Sequence, residues 1–446
     1  MSRTTWWWLP ALLWWGCQVW KPTASTEYQP QALLVGPLTI GVWLPAGLDE
    51  FRFGPADQAL LQDLGLNTLE WVQRAQRDSA TAEELVMGFC NRAGLHLPVY
   101  YEPPGYTPYD KLRNWATRAE VDTAFAGQVR QRVGALRQHW TGSAGFWAYL
   151  VGHEDYDPRY YPALQAVLEV LRQEDNTRPA VAVGRLDHFR HPADFLAAFF
   201  PAAGPANIFQ HEHYVFRTGV GAGGAPVQQV LDQLARSYDL VAQRLQGRNG
   251  RWQAIIQAHA EWRDGEAYYR QPTAGELRVQ AGMALARGAS GIVYFLYSSG
   301  VEEILDEAGQ VRARWTYQGL VDAQGQPGPA YAAVRQLNQA LRQAGQVLEA
   351  LHFHGAYPSA QLRGQALVRR ADADLEFGIF GDGREATHVL VVNRRPDQAR
   401  RLQLELRPGL VRDALADTLM GAGLGPLELE MAAGAFRLLD LRQDLP

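Results

Sequence analysis

The stretch Phe146–Glu154 (FWAYLVGHE) shows the pattern on which the fold prediction rests. It is a short apolar run, rich in aromatic residues, that ends on a glutamate. An amphipathic helical segment, Tyr161–Gln173, follows it. A short apolar run followed by a helix is typical of a strand in a parallel sheet with helices packed on it.

Seven further runs of this kind occur in the first two thirds of the chain: Thr39–Pro45, Asn67–Val72, Leu97–Glu102, Ala180–Gly184, Asn207–Tyr214, Trp252–Glu261 and Gly291–Ser298. Helical spacing of apolar residues marks the segments Pro55–Leu64, Thr81–Ala93, Val121–Gln138, Val227–Leu245 and Thr273–Arg287. Eight strands alternating with helices favour a closed (β/α)8 barrel over an open sheet. The turn Pro45–Leu48 also lacks the glycine fingerprint of a nucleotide-binding open sheet, and we expect no cofactor.

The sequence changes character near Gly345, where helical periodicity stops. Short strand-like runs follow at Leu362–Val368, Leu375–Phe380, His388–Val392, Leu402–Leu406 and Phe436–Leu441. The predicted fold is therefore of the α/β class, with a barrel at residues 37–345 and a small β-sandwich at 346–446. We expect the helix Ala330–Arg342 to close the barrel and the sandwich to brace it.

The N-terminal residues 1–25 resemble a bacterial export signal. A positive Arg3 precedes the apolar run Trp6–Gly16, which is too short to span a bilayer comfortably. Cys17 follows Gly16 directly, as at a lipoprotein cleavage site; cleavage near Ala24 and an uncleaved anchor stay open as alternatives. Residues 26–36 read as a tether. We expect an exported protein that is extracellular, periplasmic or attached to a membrane through a lipidated Cys17.

Composition narrows the function classes. The formal net charge of -5 gives no electrostatic footprint for a nucleic-acid partner. Beyond the export segment only Cys90 remains, which excludes an internal disulfide and a cysteine-based metal site. Cys90 lies in an apolar helical stretch, and we expect a buried thiol there.

Glutamates end, or nearly end, five of the predicted strands: Glu70, Glu102, Glu154, Glu212 and Glu261. Active sites of such barrels form where the strands end, although any single carboxylate there could be structural. Strands four and seven face one another across a closed barrel, so Glu154 and Glu261 are expected over one opening. Two carboxyl groups placed in this way suit the cleavage of a glycosidic bond.

Alternation along the seventh strand supports Glu261. The polar residues Gln257, His259 and Glu261 share one parity, whereas Ala254, Ile256 and Ala258 share the other. Because the outer face of a barrel meets helices, we expect the polar set to point inward.

This layout resembles the clan of retaining (β/α)8 glycoside hydrolases, whose acid/base follows strand four and whose nucleophile follows strand seven. The resemblance covers residues 37–345 and includes the run Arg270–Gly291 before the last strand. It implies a glycosidase that cleaves an O-glycosidic bond in an extracellular oligo- or polysaccharide, with Glu154 as the acid/base and Glu261 as the nucleophile. His153 stands where the clan has asparagine, so the chain would be an outlying bacterial member.

Further residues are candidates for binding a carbohydrate substrate. Aromatic rings at strand ends can stack on sugar faces, and the candidates are Trp43, Trp71, Tyr101, Trp262 and Tyr297. The polar candidates are His153, His211, Glu212, Tyr214 and His259. His211 and His213 have a spacing that could bind a metal, but the first strand carries no histidine, and we expect no metal centre.

Two alternatives remain at this point. One is a catalytically silent barrel that binds carbohydrate, and the other is a metal-dependent hydrolase that uses His153, His211 and His213. Wide separation of Glu154 from Glu261, or burial of either in an arginine pair, would favour the silent barrel.

Overall fold

The structure is a computed structural model. It describes residues 38–44, 53–70, 79–100, 123–154, 157–200, 206–221, 226–305, 310–421 and 425–442. No helix in these ranges is long and apolar enough to cross a membrane. The export segment, the tether, Trp71 and Tyr101 lie outside the described residues.

Eight parallel strands form a barrel, as predicted. They are β1 (Thr39–Trp43), β2 (Thr68–Glu70), β3 (Leu97–Tyr100), β4 (Phe146–His153), β5 (Ala180–Gly184), β6 (Asn207–Glu212), β7 (Gly250–Gln257) and β10 (Gly291–Phe295). The order in the sheet is β2-β1-β10-β7-β6-β5-β4-β3. A parallel bridge between Thr68 and His96 brings β2 next to β3 and closes the ring.

Helices surround this ring. The described ones are α1 (Pro55–Leu64), α2 (Ser79–Ala93), α3 (Thr123–His139), α4 (Tyr161–Glu174), α5 (Pro192–Phe199), α6 (Val227–Leu245), α7 (Ala274–Leu285) and α8 (Tyr331–Leu348). The Thr273 hydroxyl accepts from the Glu276 amide and the Glu276 carboxylate accepts from the Thr273 amide, a capping box that fixes the start of α7. Cys90 is buried in α2, as expected.

Alternation divides each barrel strand into an inner and an outer face. On β7, Ala254 and Ile256 pack in the large cluster that includes the helices, whereas Ile255 packs in a smaller cluster with Val183 and Val293 from other barrel strands. We call this smaller cluster the lumen cluster. Residues of the same parity as Ile255 therefore face the lumen.

A second, antiparallel sheet stands at the C-terminal end of the barrel. It consists of β11 (Gly300–Leu305), β12 (Val311–Gln318), β8 (Ala260–Arg263) and β9 (Glu266–Tyr269), in that order. β8 follows barrel strand β7, and β11 follows barrel strand β10. We call this sheet the roof sheet, because Tyr317 and Trp315 on one of its faces contact the lumen cluster.

The C-terminal region forms two antiparallel sheets with a core between them, which confirms the predicted β-sandwich. The larger contains β13 (His352–Pro358), β15 (Leu375–Gly381), β16 (Ala386–Asn393), β21 (Phe436–Asp440), β18 (Val411–Asp413) and β19 (Thr418–Gly421). The smaller contains β14 (Val368–Ala371), β17 (Arg400–Leu406) and β20 (Leu427–Met431). The predicted strand Leu362–Val368 is wrong, because only its last residue enters β14. The predicted boundary between barrel and sandwich, after residue 345, falls inside α8.

Helix α7 packs closely against the larger sheet. A Cβ added to Gly282 would lie 2.9 Å from Val392, and one added to Gly275 would lie 1.9 Å from the Pro396 carbonyl oxygen. The glycines of the segment before the last barrel strand therefore allow a close approach of helix and sandwich.

Candidate functional site

The candidate site lies at the C-terminal end of the barrel, around Tyr214. The Tyr214 ring stacks on Phe295 with centroids 5.4 Å apart and meets His259 edge-on at 5.3 Å. Burial raises the pKa of the Tyr214 hydroxyl well above its usual value, and the carboxylates of Glu212 and Glu154 raise it further. The C-terminal ends of barrel strands β4, β6, β7 and β10 thus meet around Tyr214.

Glu154 is an exposed side chain immediately after β4. Its amide donates to the Val183 carbonyl at 2.8 Å, so the position is tied to the neighbouring strand. Its φ of +57° lies in the left-handed region, which non-glycine residues seldom occupy outside strained or functional positions. Burial lowers the pKa of nearby His188, while the charge of Glu154 acts in the opposite direction.

Glu261 lies in the roof sheet, not in the barrel strand where the sequence pattern placed it. β7 ends at Gln257, and Glu261 belongs to β8. Its side chain is almost fully buried and accepts a 2.5 Å hydrogen bond from Arg263 Nε. The His259 Nε2 atom lies 3.4 Å from its other oxygen. The Arg263 hydrogen bond therefore fixes one oxygen of the carboxylate, and the His259 ring lies beside the other.

The charge state of Glu261 follows from these contacts. Burial alone would raise its pKa, but the hydrogen bonds with His259 and Arg263 and the charge of Arg263 outweigh burial. The net pKa lies below the usual glutamate value. The His259 Nδ1 atom lies 2.9 Å from the Phe295 carbonyl oxygen, which requires a proton on Nδ1.

Pairing across the roof sheet shows which side chains share the face of Glu261. Tyr317 on β12 and Tyr269 on β9 are the direct partners of Glu261, and Arg217 pairs with Tyr269 in turn. Directly paired residues lie on one face of an antiparallel sheet. A row of Arg217, Tyr269, Glu261 and Tyr317 therefore lies on the face that contacts the lumen cluster.

Glu212 and Glu302 add carboxylates at the same end of the barrel. The Tyr214 hydroxyl lies 3.5 Å from Glu212 Oε2, and the Tyr317 hydroxyl donates to Glu302 Oε2 at 3.1 Å. Glu212 has the parity of the lumen residue Ile208 on β6. Both carboxylates are partly accessible and could accept hydroxyl groups of a ligand.

Glu70 lies in the barrel lumen as part of a buried polar network. Gln210 Nε2 donates to Glu70 Oε1 at 2.8 Å and to Gln253 Oε1 at 2.9 Å, and Gln253 donates to the Thr39 hydroxyl. Burial raises the pKa of Glu70 to about 8, although the Gln210 hydrogen bond acts to lower it. A carboxyl group that is neutral at pH 7 suits this enclosed position.

His211 is a correction to the predicted substrate-binding set. It shares parity with Phe209 on the helix-facing side of β6. Its Nε2 lies 2.8 Å from the Ser237 hydroxyl on α6, and its Nδ1 accepts from the Leu186 amide at 3.2 Å. Burial lowers its pKa to about 3. His211 is thus a hydrogen-bonded residue of the helix layer.

This placement also removes the basis for a metal site that uses His211 together with His213. His213 lies in a different, buried environment, and its pKa is lowered to about 4, chiefly by burial. Among the described residues, no group of three or more histidine, cysteine or acidic side chains is arranged to hold a metal ion.

Tyr297 and Trp262 are further corrections. Tyr297 is 0% exposed within the helix-facing core, so it cannot serve as a sugar platform. Trp262 neighbours Glu261 along β8 and therefore points to the opposite face of the roof sheet. Its cross-strand partners there are Thr316 and Ala267.

Trp43 and His153 do lie together near the lumen. Their ring centroids are 5.6 Å apart, and Trp43 belongs to the lumen cluster. His153 is half-buried beside Glu154. These two rings can form one wall of the candidate site.

Sequence reasoning missed most of the roof sheet, including Arg263, Tyr269 and Tyr317. One signal was present: Asp264-Gly265 separates the β8 and β9 runs, and both residues have positive φ, as a tight hairpin turn requires. An aspartate–glycine pair between two short aromatic-containing runs predicts a hairpin.

Comparison with known proteins finds similar folds but no related sequence. No family model matches the chain, and no characterised protein matches it in sequence. Similar solved structures include a β-galactosidase from Bacillus circulans sp. alkalophilus, with TM-score 0.60, 7% identity and coverage of 91% of this chain and 99% of that one.

A GH27 β-L-arabinopyranosidase from Geobacillus stearothermophilus matches with TM-score 0.51 and 11% identity, over 95% of this chain and 100% of its own. The β-galactosidase of Rahnella sp. R3 matches with TM-score 0.51 and 9% identity, over 73% of this chain; the match spans only 59% of the Rahnella chain. At these identities the likeness concerns the fold. The chain has the fold of the (β/α)8-barrel glycoside hydrolases.

Proposed function

We propose that this protein is an exported glycoside hydrolase that cleaves an O-glycosidic bond in an oligo- or polysaccharide. Glu154 acts as the acid/base and Glu261 as the nucleophile. The observation that carries the proposal is that Glu154, after β4, acts on Tyr214, while Glu261, in the roof sheet, lies beside His259, whose ring contacts Tyr214. Carboxylates that share one opening at the C-terminal end of a barrel suit this chemistry.

The two carboxyl groups have different environments, as two roles require. Glu261 is buried beside His259 and held by a hydrogen bond from Arg263, and its lowered pKa keeps it ionised for attack. Glu154 is exposed and can reach a leaving group and then water.

The proposed reaction has two steps. Glu154 gives a proton to the glycosidic oxygen while a Glu261 oxygen forms a bond to the anomeric carbon and the C–O bond to the leaving group breaks. Glu154 then takes a proton from water, which attacks the same carbon and releases Glu261. Two inversions give net retention of the anomeric configuration.

The experiment is a glycan-panel assay of the wild type beside Glu154→Gln and Glu261→Gln. Each substitution is isosteric, and we expect turnover to fall by about 10³-fold or more while the unfolding temperature stays close to that of the wild type. Glu430→Gln, at an exposed glutamate on β20 of the sandwich, is the matched control, and it should keep full activity. Unchanged turnover in either glutamine variant would remove that residue from the mechanism.

A second candidate function is supported by one observation, the Glu261–Arg263 pair. An arginine that permanently neutralises Glu261 would leave a barrel that binds carbohydrate without cleaving it. Binding of a glycan with unchanged affinity in wild type and Glu261→Gln, without products after prolonged incubation, would establish this alternative.

A further inference from the structure

We propose that the site takes a glycan with an anionic substituent, a carboxylate or a sulfate, and that Arg217 is the residue that binds it. This inference rests on the proposed function for the position of the site, and it deepens that function by naming the substrate class.

Arg217 is held in place at the edge of the candidate site. Its backbone pairs with Tyr269, and the neighbouring Thr218 amide donates to the Tyr268 carbonyl at 3.0 Å. Its side chain hydrogen-bonds Tyr269 and lies with its guanidinium carbon 5.1 Å from the Tyr268 ring centroid. Tyr269 is the direct cross-strand neighbour of Glu261. One strand, β9, therefore lies between this cation and the proposed nucleophile.

Arginine and aromatic side chains alternate from Arg217 along this face. Tyr268 lies between Arg217 and Arg263, whose guanidinium carbon is 3.7 Å from the Tyr268 centroid and 4.3 Å from the Trp315 centroid. Such stacking holds the cations in fixed orientations with few rotamers left to lose on binding. The row ends in the exposed Arg217.

The two arginines differ in whether a carboxylate neutralises them. Arg263 forms an ion pair with Glu261. The nearby carboxylate of Glu302 instead accepts a hydrogen bond from Tyr317. Within the described residues, Arg217 forms no ion pair, although it is the most exposed cation of this row. A planar, stacked guanidinium with free N–H groups matches a carboxylate or sulfate in geometry and charge.

The test uses the full chain carrying Glu154→Gln, so that bound glycans are not consumed under the proposed mechanism. A glycan array with neutral, uronate-containing and sulfated members identifies ligands. Calorimetry then compares each ligand with its methyl-esterified or desulfated form, and the treatment that weakens binding distinguishes carboxylate from sulfate. Arg217→Ala, Arg217→Lys and Arg244→Ala are compared; Arg244 is an exposed arginine on α6.

We expect the anionic form to bind about tenfold more tightly than its neutralised form, which is the scale of one hydrogen-bonded charge pair. Arg217→Ala should abolish this preference, Arg217→Lys should keep part of it, and Arg244→Ala should keep all of it. Preference for neutral glycans, equal binding of the two forms, no bound anionic glycan, or an unchanged preference in Arg217→Ala would each overturn the inference.

The two proposals fail separately. Turnover of neutral glycans that does not depend on Arg217 would leave the glycosidase standing and refute the anionic substrate. Anion-dependent binding through Arg217, with no hydrolysis of any glycan by the wild type, would refute the glycosidase and leave the binding inference intact.

Discussion

Two arginine–glutamate pairs occupy different regions of this molecule and have different surroundings. At the junction of barrel and sandwich, Arg287 donates to Glu376 at 3.0 Å, and both side chains are at most 2% exposed. At the barrel mouth, Arg263 donates to Glu261 at 2.5 Å, but the Arg263 side chain is 36% exposed. The first pair is enclosed from both sides, whereas the second opens toward solvent on the arginine side.

The pKa directions follow this difference. Burial raises the pKa of Glu376 despite the nearby charges of Arg287 and Arg394, whereas the partners of Glu261 overcome its burial. An enclosed pair of this kind braces two domains. A pair whose cation is stacked on aromatic rings and reaches solvent can instead hold an ionised carboxylate ready beside a ligand. The arginine contact of Glu261 is therefore compatible with catalysis.

The largest effect is expected at the enclosed pair. Arg287→Met leaves Glu376 buried with one fewer charge partner, and we expect the free energy of unfolding to fall by about 3 to 5 kcal/mol. Arg335→Met, which breaks the exposed pair with Asp63, should cost at most about 1 kcal/mol. Urea unfolding of both variants measures this. Equal, small losses would show that the junction pair contributes no more than a surface contact.

Glu70 is a third buried glutamate to compare with Glu376 and Glu261. Its described hydrogen-bond partner is the neutral Gln210 and not an arginine. Its pKa of about 8 in the folded protein exceeds the ordinary glutamate value of 4.5, so the folded protein holds a proton that the unfolded chain releases. Glu70 should therefore make folding less favourable as pH rises from about 4.5 to 8, with no further change above the folded pKa.

Glu70→Gln removes this pH dependence while it keeps the shape of the side chain. The free energy of unfolding of the variant, minus that of the wild type, should increase from pH 5 to pH 8 by on the order of 2 kcal/mol or more. Urea unfolding at both pH values measures the difference. The same stability difference at the two pH values would show that Glu70 is ionised in the folded protein.

A smaller effect is expected at the open pair. Arg263→Met removes a hydrogen bond and a positive charge that lower the pKa of Glu261. The acidic limb of the kcat/KM profile should therefore move to higher pH, and kcat/KM at neutral pH should fall by about tenfold. Arg244→Met on the outer face of α6 is the matched control. An unmoved acidic limb would show that Arg263 does not set the ionisation of Glu261.

The barrel could be predicted from the sequence because its strands are short apolar runs, whereas the helices between them show apolar residues at helical spacing. Alternation along a barrel strand decides which side chains face the helices and which face the lumen. The sequence of β6 shows this alternation. Phe209 and His211 share the helix-facing side, whereas the lumen side is shared by Ile208, Gln210 and Glu212. The prediction that His211 binds substrate ignored that alternation.

The roof sheet could not be placed from the sequence pattern alone. Its strands are short, and β8 pairs with β12 more than fifty residues later. The polar parity of Gln257, His259 and Glu261 continues across the end of β7, so one run looked like one strand. Tyr297 was misplaced for a related reason, because the last apolar run gives no sign of where the barrel strand ends, which is at Phe295.

The most direct measurement locates a trapped covalent intermediate. A 2-deoxy-2-fluoro analogue of whichever sugar the wild type releases, carrying a good leaving group, slows release of the glycosyl–enzyme more than its formation. Intact-mass and peptide mass spectrometry of the treated protein should show one added glycosyl group, on Glu261, and none in Glu261→Gln. A label on Glu212 or another residue, or an active enzyme that never acquires a label, would contradict the role assigned to Glu261.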